Sequence, residues 1–350
     1  MLKLRTPNVA IARDNDQKKA AKTALDLIKN DINLSLFHWI KSGEKKQVLI
    51  KPNLLSTEAN PQCNTSVETC LAVAEIIKEL GDYKIYIGDG TTYETNHKPS
   101  TMKSLQNHGY DKYKDIWTLV DLHADETWRF FDIVNYEGQK PVELGFSRLA
   151  DDCFVISVAK IKTHDVLGLT LSLKNMMGIL NGARYVGEKN LITKGDVKGY
   201  MHGFGNHKPH DLTKAQNTGP SKVALAANLV RLAKARHPDL AVIDGSTIME
   251  GMGPRRGNTC AELSGIAMAS TDFIALDATC AAIAGLPLDS FQYVKLAGER
   301  GMGVADVAKI NNHGIQWQTL KTNLKMHPLF AEASPWKQEE LDALAKYTQF

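Results

Sequence analysis

No run of about 18 apolar residues goes uninterrupted by charge, so no membrane-spanning helix is expected. The first residues, MLKLRTPNVAIARDNDQKKAAK, hold no apolar core of the kind a secretory signal needs. Cysteine is scarce: Cys63, Cys70, Cys153, Cys260 and Cys280 are the five in 350 residues, and no two form a C-x-x-C pair. An odd, scattered set excludes a complete disulfide framework, a zinc ribbon and a ferredoxin-type cysteine run. It fits reduced thiols in a cytosolic protein. Charge of one sign is also lacking. Lys and Arg number 42 against 39 Asp and Glu, a net +3 that excludes a strongly basic coat for nucleic acid. There is no G-x-x-x-x-G-K-[ST] phosphate loop and no G-x-S-x-G nucleophile elbow. The glycines of Gly251-Met252-Gly253-Pro254-Arg255-Arg256-Gly257 stand one residue wider than the dinucleotide fingerprint, with no helix pattern after them. A P-loop kinase and a Rossmann dinucleotide site are therefore unsupported.

What is present is an ordinary globular composition, 43% hydrophobic and 23% charged, long enough to bury a core without staples. VAIA (9–12), QVLIKPN (47–53) and KIYIGDG (84–90) read as strands, separated by the helical patterns KKAAKTALDLIKN and SVETCLAVAEIIKELG. In the latter, Ser66 is a cap and Gly81 a stop. This alternation predicts an α/β fold: a mainly parallel, mixed sheet flanked by helices in three layers, with long functional loops. WTLVDL and WRFFDIV read as antiparallel strands added to that sheet. CFVISVAKIK (153–162) is a further strand, GLTLSLKNMMGIL a helix or half-helix, and 181–220 a long aperiodic loop. A helix over 221–236 leads into the strand LAVIDG (240–245). GIAMAS (265–270) is the next strand, and FIALDATCAAIAG the next helix. Residues 1–312 are expected to form one large domain, and 313–350 a C-terminal extension packed on it.

Four apolar strands end in polar clusters: Lys51-Pro52-Asn53, Gly88-Asp89-Gly90-Thr91-Thr92, Lys160-Ile161-Lys162-Thr163-His164, and Asp244-Gly245. Each alone is also an ordinary strand-ending turn. In an open parallel sheet, however, all carboxyl ends lie on one edge, where ligands bind. Lys51, Lys160, Lys162 and Lys174 are thereby expected near one rim, with Arg255 and Arg256. Gathered cations call for an anion, a phosphate or a carboxylate, to balance them. Asn53 and Asn175 would orient it. His164, between Lys162 and Asp165, is a candidate acid or base, with Lys162 and Asp89 as its catalytic companions. Asp244 and Glu250 are the candidate ligands of a divalent cation, and Asp277 a further acid near them. The spacing of His202, His207 and His210 could suit a metal but matches neither H-E-x-x-H nor a zinc finger, and loop histidines beside Gly and Lys more often face solvent.

Together these blocks resemble one family. IKPNLL (50–55), the strand with IGDG, AKIKTHDVLGLTLSLKNMMGIL (159–180), MHG (201–203), AVIDGSTIMEGMGP (241–254) and STDFIALDATCAAIAG (270–285) look like the Domain of Unknown Function 362 family of bacteria and archaea. The resemblance covers roughly residues 45 to 305 and implies no particular reaction. Many members carry a ferredoxin-like iron–sulfur domain, and this chain lacks its cysteine run. The expectation is an intracellular, cytoplasmic enzyme acting on a small anionic metabolite, phosphorylated or carboxylated, in a lysine-rich cleft. The first alternative is a redox or cofactor-binding accessory protein; the second is a nucleotide or RNA binder using the same lysines, disfavoured by the charge balance. Substrate, reaction, cofactor and any homo-oligomer stay open.

Overall fold

The structure is a computed structural model that describes residues 6–58, 60–90, 101–135, 142–186, 190–192, 197–203 and 219–349. Its strands are β1 (Asn8–Arg13), β2 (Gln47–Pro52), β3 (Lys84–Asp89), β4 (Thr118–Asp121), β5 (Thr127–Ile133), β6 (Val142–Ser147), β7 (Phe154–His164), β8 (Gly168–Thr170), β9 (Leu180–Val186), β10 (Asn190–Ile192), β11 (Leu240–Glu250), β12 (Asn258–Thr259), β13 (Ile266–Ser270) and β14 (Asn311–Gly314). Ten of them make one sheet in the order β14-β1-β13-β11-β7-β2-β3-β4, with β12 attached to β11 and β8 to β7. The run β11-β7-β2-β3-β4 is parallel throughout, while β13 is antiparallel to both β11 and β1. The fold is thus α/β with a mixed, mostly parallel sheet.

The middle strands are apolar on both sides because both faces are covered. Val48, Ile50, Ile156 and Val158 look into one core, under helices Gln17–Leu27 and Val67–Leu80. Leu49, Val155, Ala159 and Ile161 look into the other, under Gly219–Ala235 and Phe273–Ile283. The caps are local. Ser66 accepts from Glu68 N, Asp16 from Lys19 N and Asp272 from Ala275 N. Helix Phe273–Ile283 is apolar on almost every face, and burial on all sides is the reason.

Several expectations about local structure change. The WTLVDL segment is not antiparallel: β4 runs parallel to β3 at the sheet's edge. WRFFDIV does not join that sheet at all. It forms β5 of a separate antiparallel sheet, β10-β9-β6-β5. Alternation identifies a strand but not its partner, and only chain connectivity and packing choose one. The segment 181–220 is not one loop: Leu180–Val186 and Asn190–Ile192 are strands and Lys198–Met201 a helical turn. Gly168–Thr170 is a strand hairpinned onto β7, and only Ser172–Asn175 and Met176–Ile179 are helical turns. Thr91, Thr92, His207 and His210 lie outside the described residues.

The last helix, Gln338–Tyr347, packs on Gly219–Ala235. Lys222 pairs with Glu340 at 2.7 Å and lies over the Trp336 ring, and Arg231 donates to the Tyr347 carbonyl.

Candidate functional site

Strands β11, β7, β2 and β3 are consecutive and parallel, so the described parts of the four polar clusters, through Gly90 for β3, lie along one edge. β7 and β11, at 11 residues each, are the longest contributors. β7 pairs with β2 only through Val158 and then continues as Lys160, Ile161, Lys162, Thr163 and His164, folded back against β8. Strand alternation puts Lys160, Lys162 and His164 on one face, successive pairs about 7 Å apart.

The lysines are buried, and each has a different environment. Lys51 is fully buried, 2.6 Å from Asp89 Oδ1, and also donates to Asn175 Oδ1 (2.7 Å) and the Pro52 carbonyl (2.9 Å). Asp89 in turn accepts from the backbone N–H groups of Leu54 and Gly90. Asn175 donates to the Lys51 carbonyl and to Ser157 Oγ. The pair lies hard against Gly178. A methyl group there would stand 1.9 Å from Asp89 Oδ1, which explains why the Lys174-Asn175-Met176-Met177-Gly178 turn ends in glycine. Lys160 is 3.4 Å from Asp244 and donates to Ser246 Oγ (2.6 Å). Asp244 also accepts from Ser66 N (2.6 Å), at the start of helix Val67–Leu80, and from Ser246 N (2.8 Å). Burial pulls both lysines below the usual ammonium range, and Asp89 and Asp244 oppose it. These two lysines are compensated from within the protein.

Lys162 is not. It is 1% exposed, and its Nζ donates to Asn53 Oδ1 and to the Cys63 carbonyl. Among the described residues no carboxylate pairs with it. Burial, reinforced by the charges of Lys174 and Lys160 and opposed by Cys63 and Asp89, brings its pKa down to about 7. Lys174, half-buried, reaches Met177 Sδ at 3.7 Å. Its charge is felt at Lys162, His164, Asp165 and His202 alike.

His164 is 6% exposed. Its Nδ1 accepts from Val166 N (3.1 Å) and Leu167 N (3.4 Å), and Asp165 Oδ1 lies 3.0 Å away. Burial, aided by Lys174, His202, Lys162 and His327, holds its pKa well below the ordinary histidine value. His202 is likewise pushed down, to about 3, by burial and then Lys174. Burial raises Asp165 above the usual carboxylate range.

The M-E-G-M-G-P loop closes over Thr163. Thr163 Oγ1 donates to the Gly251 carbonyl, and a methyl at Gly253 would sit 2.1 Å from the Thr163 carbonyl. Arg255 and Arg256 are exposed on this loop, and the charge of Arg255 is felt at Cys63. Cys63 Sγ donates to the Pro254 carbonyl at 3.3 Å, and burial pushes its thiol up, away from a thiolate nucleophile.

Glu250 accepts from Lys325 N, and Asp244 is filled as described. Among the described residues no group of three or more His, Cys, Asp or Glu could hold a metal ion. Asp277 accepts from Ser172 N, Ser172 Oγ and Leu173 N, capping the turn that carries Lys174, and burial raises its pKa to about 7. All five cysteines are buried free thiols.

The structure therefore gathers Lys51, Asp89 and Asn175 in one knot, Lys160 and Asp244 in a second, and Asn53 with Lys162 in a third. His164 and Lys174 stand beside Lys162. Sequence reading missed the site roles of Cys63, whose carbonyl meets Lys162, and of Ser66, Ser246 and His327; His202, read there only as a metal-ligand candidate, is instead a buried neighbour of His164. None of these ends an apolar strand, the signal that found the others.

An α/β protein with an edge of buried lysines is the class so defined. Residues 48–282 match the family model described as Domain of unknown function (DUF362), and the chain belongs to that family. It is 28% identical over 276 residues to a thylakoid-associated protein of Synechocystis sp., an alignment that covers 77% of this chain and 72% of that protein. A crystal structure of a Thermotoga maritima protein superposes with a TM-score of 0.37 at 10% identity, over 81% of this chain and 59% of that one. That likeness is too low to carry an argument.

Proposed function

We propose that the protein is an enzyme acting on a small anionic metabolite, phosphorylated or carboxylated, at the strand edge around Lys162. The observation that carries this is the uncompensated lysine. Among the described residues Lys162 is buried without a carboxylate partner, within the fields of Lys174 and Lys160. Buried positive charge of one sign is disfavoured until an anion neutralises it. Lys174 supplies standing positive charge, Lys162 becomes charged as the anion arrives, and His164 is the neighbouring proton-active group. Lys51 and Lys160, already paired, shape the site rather than hold the anion. The thylakoid association of the Synechocystis relative is a property of that protein. For this chain we keep a cytoplasmic location. No helix of the described residues is long and apolar enough to cross a membrane, and cell fractionation tests the assignment.

Native mass spectrometry of the purified protein is the direct test. A retained anionic small molecule, lost in Lys162→Ala and in His164→Ala, is the expected result. Binding and activity left intact in both variants would overturn the proposal.

A further inference from the structure

We propose that Lys162 is the proton acceptor and His164 the proton donor of this site, a pair set to move a proton on a small substrate lying between them. This deepens the reading above and rests on it. The argument is one of hydrogen-bond geometry. Lys162 Nζ has two acceptors, Asn53 Oδ1 and the Cys63 carbonyl. A neutral amine has two N–H bonds, and these two oxygens use both of them, leaving the lone pair in a third direction. When the amine takes a proton, both bonds persist and the new N–H occupies that third direction. The cradle fits either protonation state without rearrangement. It fits an imine poorly, because the nitrogen of C=N carries at most one hydrogen and leaves at least one of the two buried acceptors unmet. The two oxygens thus distinguish a base from a covalent nucleophile.

His164 is fixed the other way. Its Nδ1 lone pair faces the N–H groups of Val166 and Leu167, and a proton on Nδ1 would oppose them. Asp165 Oδ1 lies 3.0 Å from the same nitrogen, and burial raises its carboxyl above the usual carboxylate range, which weakens its claim on an Nδ1 proton against the two N–H groups. The imidazole proton therefore sits on Nε2, where it is a donor. Lys162 and His164 are two apart on β7 and on one face, their Cα atoms about 7 Å apart. The charged and titratable groups around the pair are Lys160, Lys174, Cys63 and Asp89 for Lys162, and Asp165, Lys174, His202, Lys162 and His327 for His164. All but Asp89, Asp165 and Cys63 are basic, which favours the neutral form of both members. In the reaction the substrate's C–H or O–H pair stays on the substrate, its proton passes to Lys162, and His164 Nε2–H donates to the oxygen that gains charge.

Nuclear magnetic resonance on the full chain tests this without knowledge of the substrate. Lysine labelled at Cε and histidine labelled in the ring are followed from pH 5 to 9, with Lys162→Met and His164→Gln identifying the two signals. The expected result is a Lys162 signal that titrates near neutrality, and a His164 ring that stays in the Nε2–H form from pH 5 to 8. Lys162 remaining an ammonium through pH 9 overturns the inference. So does a His164 ring that protonates between pH 5 and 8 or carries its proton on Nδ1. These outcomes are independent of whether an anion is retained, so the inference and the reading beneath it fail separately.

Discussion

Replacing Lys51 by methionine removes one charge from the shorter of the two enclosed lysine–aspartate pairs of the sheet edge. Lys51 and Asp89 are 2.6 Å apart with side chains 0% and 4% exposed, so the carboxylate left behind has no water to turn to. Breaking a buried pair from one side costs about 3–5 kcal/mol. Asp89 keeps the N–H groups of Leu54 and Gly90 as donors, which places the expected loss near the lower limit, about 3 kcal/mol, or roughly a hundredfold in the folding equilibrium. Methionine matches the lysine stem in length and flexibility, so little of this loss is a cavity. Urea unfolding at pH 7.5, with the midpoint shift multiplied by an unchanged slope, measures it. Asp89→Asn and the double variant complete a cycle. The double variant is expected to lose about 1–3 kcal/mol less than the sum of the singles, because neither then leaves a lone buried charge. A loss under about 1 kcal/mol for Lys51→Met, together with an additive double variant, would refute the description of a desolvated pair.

Two further outcomes are expected. Lys162 has its folded pKa at about 7, below the ordinary lysine value of 10.5. Between these limits the unfolded chain holds a proton that the folded one has released, so this group makes stability rise from pH 7 towards 10.5. Lys162→Met should flatten that rise and be most stabilising relative to wild type below pH 7, as read by denaturation at pH 6 and 9. An unchanged pH slope contradicts the burial argument. Gly253→Ala forces a methyl to within 2.1 Å of the Thr163 carbonyl and should cost about 1–3 kcal/mol by overpacking. It should also lift the loop whose Pro254 carbonyl holds the Cys63 thiol, so Cys63 reacts faster with an aromatic disulfide reagent. Stability and thiol reactivity both at wild-type levels would show that the loop is not seated on Thr163.

The strands at 47–53, 84–90, 153–162 and 240–245 were legible because burial on both faces writes a continuous apolar run into the sequence. Their polar ends were legible for a related reason, since charge next to such a run has to lie at its exit from the core. WRFFDIV shows the limit. Its alternation marks a strand in any antiparallel setting, and nothing local says that β6 and β9 are its companions. Cys63 shows another. It contributes a backbone carbonyl to Lys162, and a carbonyl is the same for every residue type.

The sequence by itself determined the α/β class, the family and the convergence of Lys51, Asp89, Lys160, Lys162, His164 and Asp244 on one sheet edge. It did so because hydrophobic period and strand ends are local properties of the chain, and in a parallel sheet the carboxyl ends share one edge. Only the tertiary structure decided which of those cations are spent. Lys51 and Lys160 face Asp89 and Asp244 across neighbouring strands, whereas Lys162 faces two carbonyl oxygens. The sequence prints the same lysine three times. Charge compensation depends on distances of a few ångströms between residues up to 109 positions apart, and that is fixed by register and packing alone.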